Sequence, residues 1–263
     1  MTMLLDTHHH FDFLAPALRR PFLAALGEVA IVAQTLTPSG FWDLAGAENV
    51  PARCAVGFHP WFVTDDPSAL DLFEAALERT RFVGEVGLDF SPRRTAAVGA
   101  ELQREVLRRL LTLVRRAGSR DGPYVLSIHA VRAASPVMDL LEEICASTDS
   151  VVPVFHRFSG TSDELTRLIR LGGHISVHPQ LLATKRGRAY VQQVPADRLL
   201  LETDLPPNPI AAAIDARPED VAAAAANEVR DALTRTLRGL SERRGCDMTA
   251  TVQLTQSQLY CVS

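Results

Sequence analysis

Eight short apolar runs recur along the chain with longer amphipathic stretches between them, and this alternation limits the fold more than any other feature. The runs are Met3–Leu5, Val29–Ala33, Ala55–Gly57, Phe82–Val86, Tyr124–Ile128, Val151–Phe155, His174–Val177 and Leu199–Leu201. Between them, Pro67–Thr80, Gly99–Arg116, Pro136–Ala146 and Ser162–Leu171 carry apolar residues at a period near 3.6, the mark of a helix with one buried face. Pro67 follows Asp65 and Asp66 as a first helical turn follows its cap, and Gly118 and Gly172 stand where helices end. Strand and helix alternating in this way imply parallel strands joined by right-handed crossovers. The expected fold is α/β: a single-domain, eight-stranded parallel β/α barrel spanning 1–263, a length that suits one such domain. Pro179–Val194 reads as a poor helix, which makes the seventh unit the least regular. Pro218–Arg244 reads as one long helix, with the Cys246–Ser263 tail packed beside it and too small to be a domain.

Composition narrows the class. With 47% hydrophobic residues the chain fills a sizeable core. A net charge of −4 argues against a protein that coats duplex nucleic acid without specificity. It leaves open a nucleic-acid substrate at a small site, because bound dications would make such a site locally positive. Cys54, Cys145, Cys246 and Cys261 stand too far apart for a metal knuckle and are expected to be reduced thiols. MTMLLDTHHH has no basic region followed by an apolar run, so it is not read as a signal peptide. No window approaches the roughly 18 apolar residues of a membrane span. A soluble, cytoplasmic protein is expected.

In barrels of this kind the chemistry sits where strands end and loops begin. Just past the apolar runs stand His8 and His10, Gln34, His59, Glu85, His129, His156, Ser176 and His178, then Asp204; all eight histidines fall at or beside strand ends. In extended chain alternate side chains share a face, so His8 and His10 point together while His9 points away. Two imidazoles on one face can chelate a single dication. Glu85, flanked by Gly84 and Gly87, is a carboxylate with two oxygens to share between cations. His129 and His156 follow neighbouring strands, and Asp204 ends Leu199-Leu200-Leu201-Glu202-Thr203-Asp204. Imidazole and carboxylate ligands suit zinc or manganese, and the carboxylates also admit magnesium. Asp89 reads as a support for a ligand, not as a ligand itself. His59 is as much a buried structural histidine as a substrate contact. Arg132, three residues beyond His129, has the ordinary alternative of a solvated surface residue.

Together these stretches resemble the TatD family of metal-dependent hydrolases. Asp6-Thr7-His8-His9-His10-Phe11-Asp12 is similar to the family's D-[ST]-H-x-H-x-D, Gly57-Phe58-His59-Pro60-Trp61 to its G-x-H-P segment, and Gly84-Glu85-Val86-Gly87-Leu88-Asp89-Phe90 to its G-E-x-G-L-D-[YF]. Ile128-His129-Ala130-Val131-Arg132-Ala133-Ala134 resembles I-H-x-R-x-A with one extra residue before the arginine. Phe155-His156-Arg157-Phe158-Ser159-Gly160 resembles H-C-F-S-G, and Glu202-Thr203-Asp204-Leu205-Pro206 resembles E-T-D-x-P. The matches keep the family's order from residue 4 to about 209, and the helices of 210–263 diverge. The resemblance implies that His8, His10, Glu85 and Asp204 hold one divalent ion and that Glu85, His129 and His156 hold a second. His59 and Arg132 would contact phosphate. Arg157 replaces the family's usual Cys and adds positive charge beside His156.

The implied activity is cleavage of phosphodiester bonds in DNA or RNA. A hydroxide held between two metals about 3.5–4 Å apart would attack phosphorus. Asp204 would orient or deprotonate the water, with Glu85 as the other catalytic carboxylate. His59, Arg132 and Arg157 would clamp the phosphate. Aromatic residues are few (6%), which favours attack on single strands or ends without base readout. Two alternatives stand beside this: hydrolysis of an ester, amide or aminoacyl-tRNA by the same metals, and a subunit of an anti-phage defence assembly that docks a protein partner through the C-terminal helices.

Overall fold

The computed structural model describes residues 3–118, 122–145, 150–212 and 216–261. In chain order the elements are β1 (Leu4–His9), α1 (Pro16–Ala25), β2 (Val29–Ala33), α2 (Pro38–Ala45), β3 (Val56–Phe58), α3 (Pro67–Ala76), β4 (Phe82–Asp89), α4 (Pro92–Ala97) and α5 (Ala100–Ala117). They continue as β5 (Tyr124–Val131), α6 (Ala134–Cys145), β6 (Val151–His156), α7 (Ser162–Arg170), β7 (His174–Val177), α8 (Pro179–Ala183), α9 (Lys185–Gln193), β8 (Leu199–Leu201), α10 (Pro218–Arg244) and α11 (Thr249–Tyr260). The pairs β1–β2, β3–β4, β4–β5 and β5–β6 are all parallel. Two compact units emerge, one of Met1–Ala33, Leu44–Arg53 and Ser176–Ser263, the other of Gln34–Asp43 and Cys54–Ile175.

In the second unit the strands lie in the order β3, β4, β5, β6 and β7. Their inner residues are covered: Val83, Leu126, Ile128, Val154 and Phe155 are all at most 1% exposed. Helix α5 turns Val106, Leu107, Leu110, Leu111 and Val114 inward, the i, i+3, i+4 stripe its sequence shows. Each such side chain contributes about 1.5–3 kcal/mol by leaving water. Helix starts are chemically specified. The Asp66 side chain accepts from Ser68 N at 2.9 Å ahead of Pro67, and Thr161 and Glu164 close a reciprocal capping box on α7.

The first unit pairs β1 with β2, and the end of β7 accepts from β8 (Glu202 N to Val177 O, 3.2 Å). Helices α1 and α10 pack on one another, burying Leu18 and Phe22 of the one and Ala222, Ala226, Val229, Leu233 and Leu240 of the other. The small alanines give α10 a face that lies close to its neighbours. Gln256 of α11 is fully buried because its amide serves Leu5 of β1 at both ends, accepting from Leu5 N at 3.2 Å and donating to Leu5 O at 2.9 Å.

Several sequence expectations need correction. Strands β1, β4, β5 and β6 run further than their apolar cores, so His8, His129 and His156 lie inside strands, not just past them, and β4 continues beyond Glu85 to Asp89. Pleated backbone continues as long as neighbouring strands supply hydrogen bonds, and polar side chains do not interrupt it. Pro179–Val194, read as a poor helix, holds both α8 and α9. His178 caps the first through its Nδ1 (from Gln180 N, 3.1 Å), and Thr184 caps the second (from Gly187 N, 2.9 Å). Ala146, the end of the expected helical stretch Pro136–Ala146, and the last two residues of the tail lie outside the described residues.

Thr35 organises the approach of β3 and β4. Its hydroxyl donates to Ala55 O (2.9 Å) and accepts from Gly57 N (3.0 Å), while its own N and O bond Gly84 O (3.1 Å) and Glu85 N (2.9 Å). Gly57 is required for this: a Cβ there would fall 1.7 Å from Thr35 O and 2.7 Å from Glu85 N. Both neighbours are backbone and cannot swing away. Gly57→Ala is therefore expected to destabilise the protein by at least about 3 kcal/mol, read as a fall in the urea midpoint; an unchanged midpoint contradicts the close approach.

Candidate metal centre

In the second unit a bulge interrupts β4 between Val83 and Val86, which pair with Leu126 and Ile128 of β5. Glu85 sits in it, after a cis Gly84–Glu85 bond, and is 3% exposed. Three imidazoles converge on one of its oxygens. His129 Nδ1 lies 2.7 Å, His156 Nε2 2.8 Å and His59 Nε2 3.4 Å from Glu85 Oε1. His129 Nδ1 and His156 Nε2 are themselves 3.3 Å apart. All four side chains are buried, and His59, Glu85 and His129 offer ligand atoms within 4.8 Å of one another.

Behind this cluster stands Asp89. Its Oδ2 accepts from Trp61 Nε1 at 2.7 Å and lies 3.4 Å from His129 Nε2, while Oδ1 accepts from Ser91 N at 2.9 Å. Burial disfavours the Asp89 carboxylate, but its contacts with His129, Ser91 and Trp61 outweigh that and hold it below the ordinary carboxylate range. The partner responds in the opposite sense: burial opposes a charge on His129, yet Asp89 and Glu85 raise it to about 9. His59 is pushed down, since burial there outweighs the attraction of Glu85. Gly87 allows β4 to run against β5 at this point, because a Cβ on it would fall 2.0 Å from His129 O.

The first unit holds the remaining donors. His8 Nε2 and His10 Nε2 lie 3.7 and 3.3 Å from Asp204 Oδ1. His9 faces the other way, onto Phe22 (ring centroids 5.2 Å), as strand alternation requires. Asp204 reaches its place because the chain after β8 runs beside β1: Asp204 N donates to His8 O (3.0 Å) and His10 N to Leu205 O (2.7 Å). Asp6 secures that segment. Its carboxylate accepts from Thr203 N (2.9 Å), the Thr203 hydroxyl and His8 N (3.2 Å). Burial nevertheless raises it to about 7, more than these hydrogen bonds lower it.

The donor chemistry of both sets fits divalent metal: clustered imidazoles and carboxylates, within or directly after strands, with Asp89 behind a ring nitrogen of His129 to hold its orientation. Of the nine residues the sequence singled out, the structure gathers Glu85, His129, His156 and His59 in one unit and His8, His10 and Asp204 in the other. His59 joins the Glu85 cluster more closely than a substrate contact alone requires. Arg132 and Arg157 are exposed turn residues directly after β5 and β6, at φ 55° and 43°, and Asp204 has φ 57°. Left-handed backbone at residues with a Cβ is uncommon and concentrates where function demands it. Missed in the sequence was Trp61 as the hydrogen-bond partner of Asp89; no periodicity signals a contact between residues 28 apart.

A model of the family described as TatD related DNase matches residues 5–257. The chain belongs to the TatD family. Among TatD relatives, the metal-dependent hydrolase YjjV of Escherichia coli K12 is 31% identical over 223 residues, 78% of this chain and 80% of that protein. Human deoxyribonuclease TATDN3 is 33% identical over 140 residues, 52% of this chain, and the matched stretch spans about half (47%) of the human protein. The 3'-5' ssDNA/RNA exonuclease TatD of Musicola paradisiaca is 32% identical over 168 residues, 61% of this chain and 60% of that one. The crystal structure of the E. coli YjjV protein superposes with a TM-score of 0.72 over 99% of this chain and 98% of that one, at 26% identity. A TatD hydrolase of Entamoeba histolytica gives 0.73 at 15% identity over 100% and 99%, evidence for the fold alone. The fold class is the α/β class of the TatD barrels, as the sequence implied.

Asp89→Asn tests the support behind His129. It keeps the side chain's size but removes the charge facing the ring, so retained metal after mild chelation should fall about 10–100-fold in affinity. Undiminished metal retention would show that Asp89 serves Trp61 and Ser91 alone.

Proposed function

We propose that this TatD protein is a metal-dependent hydrolase that cleaves phosphodiester bonds in DNA or RNA, on single strands or at ends. The observation that carries the reading is the convergence of His59, His129 and His156 on one buried oxygen of Glu85. Such a set is costly to bury unless it holds a cation. The relatives named as deoxyribonuclease and as ssDNA/RNA exonuclease support the choice of phosphodiester over other bonds. The proposed ligands of two divalent ions, zinc, manganese or magnesium, are His8, His10 and Asp204 with Glu85, and His129 and His156 with Glu85 shared. Bound there, such ions supply an activated water and neutralise charge on the phosphate. Asp204 orients that water or takes its proton. Arg132 and Arg157, exposed on their turns, meet the phosphate oxygens with His59.

Both compact units are proposed to belong to one domain, because the family match runs through both. A cytoplasmic setting belongs to the same proposal, and no helix among the described residues is long and apolar enough to cross a membrane. A protein partner on the C-terminal helices is the weaker reading. Helix α10 uses its apolar residues inside its own unit, which leaves Leu254 of α11 as the exposed large apolar residue among the described residues of the C-terminal helices.

Glu85→Ala is expected to abolish activity and remove metal, since it withdraws the shared ligand, while His59→Ala keeps most of its metal and part of its activity. Elemental analysis beside turnover checks this, and full metal content in the Glu85 variant contradicts the shared role. The substrate is tested separately. Metal-loaded protein should cleave a short single-stranded oligonucleotide far faster than a neutral aryl ester, and added salt should raise KM before it lowers kcat. Arg157→Cys should keep the metals and weaken oligonucleotide binding. Cleavage of esters or aminoacyl-tRNA with every oligonucleotide left intact would falsify the nuclease reading.

A further inference from the structure

The turn after β3 leaves two aromatic side chains in solvent. Trp61 is 40% and Phe62 45% exposed, and among the described residues the other exposed large hydrophobics are Leu72 and Leu254. Trp61 is held firmly all the same. Its Nε1 is tied to Asp89, and the Arg94 guanidinium lies on its ring, Cζ 3.2 Å from the centroid. The indole stands 5.0 Å from the His59 ring and 6.5 Å from the His129 ring, and Phe62 stands 6.1 Å from His59. A pinned aromatic surface with a cation laid on it thus borders the buried Glu85 cluster. The bond to Asp89 accounts for the indole nitrogen. It does not account for a neighbouring phenyl ring left in water, or for a guanidinium stacked where a phosphate would pass.

We propose that Trp61 and Phe62 form a stacking platform for an unpaired nucleobase next to the phosphate handled at the Glu85 cluster, with Arg94 pairing the adjoining phosphate. The proposal rests on the nuclease reading and adds to it the reason for a single-stranded substrate. A base in a duplex already has both faces stacked, whereas an unpaired base offers a face to a side chain. Every base has such a face, so the platform tolerates any sequence. That accords with a chain poor in aromatics, because two well-placed rings suffice. Rings already fixed in position lose little freedom when the base arrives. Arg94 serves a planar contact and a phosphate at once, which a lysine does not.

Binding is measured apart from turnover. Trp42→Phe leaves Trp61 as the sole tryptophan of the chain's two. This protein, chelated free of metal, is titrated at low salt with a short oligothymidylate. Quenching of Trp61 emission is expected, with roughly tenfold weaker binding for an abasic backbone of equal length. No quenching by the oligothymidylate, or equal affinity for the abasic backbone, overturns the platform. Phe62→Ala, which leaves the Asp89 bond in place, should raise KM for oligothymidylate roughly tenfold in the metal-loaded enzyme and have no added effect on an abasic substrate. An unchanged KM, or an equal effect on both substrates, also overturns it. Cleavage is scored independently: cleavage without quenching refutes the platform and leaves the nuclease reading, and quenching without cleavage refutes the nuclease reading while the rings keep their base.

Discussion

Glu85 is a carboxylate inside the protein, and much of the surrounding structure exists to make that tolerable. An ionised group away from water must be met by opposite charge or by hydrogen-bond donors, and here three imidazole nitrogens meet a single oxygen. Its backbone is held as firmly as its side chain. Thr35 takes hold of the Gly84–Glu85 peptide from both sides, and Gly57 keeps clear the space through which Thr35 reaches it. Gly87 lets β4 pass the carbonyl of His129. The glycines flanking the acid are thus matters of distance. They bring the strands near enough that imidazoles from β5, β6 and the turn after β3 meet at one oxygen carried by β4.

The first unit solves the same problem with different parts. Asp6 is buried beneath the His8–His10 face and uses its oxygens on Thr203 and on the backbone of His8, fixing the segment that carries Asp204. In both units, then, a buried acid that is not itself a proposed ligand positions the groups that are: Asp6 for Asp204, and Asp89 for His129. His8, Glu85, His129 and His156 sit on strands, where the hydrogen-bonded ladder limits their movement, and His10 and His59 directly follow β1 and β3, a setting suited to fixed coordination geometry. The exposed cations, Arg132 and Arg157, sit on turns just beyond. Stiff ligands and outlying charges are the arrangement expected where metal geometry must be held while a flexible anionic polymer comes and goes.

The residue order alone reveals chemistry that leaves a mark in one dimension. Three histidines after an apolar run, an acid between glycines, and an E-T-D ahead of a proline are each visible without coordinates. It fell short where neighbours far apart in the chain decide. The apolar cores marked where β1, β4, β5 and β6 begin, but not how far each strand runs, because pairing carries polar residues such as His8 and His129 into the sheet. Pro179–Val194 seemed poorly helical for want of a long apolar stripe; two caps, His178 and Thr184, make two short helices of it. Trp61 read as part of a motif and nothing more.

Alone, the sequence determined the alternation of strand and helix, the family, and the residue types available to bind metal, since periodicity and motif spacing are local properties of the chain. Only the tertiary structure decided which of those residues share a site. It drew His59 onto Glu85, set Asp89 behind His129, and left Trp61 and Phe62 in solvent beside them. Those outcomes depend on distances between strands tens of residues apart, and such distances are settled by backbone packing, down to the single missing Cβ of Gly57.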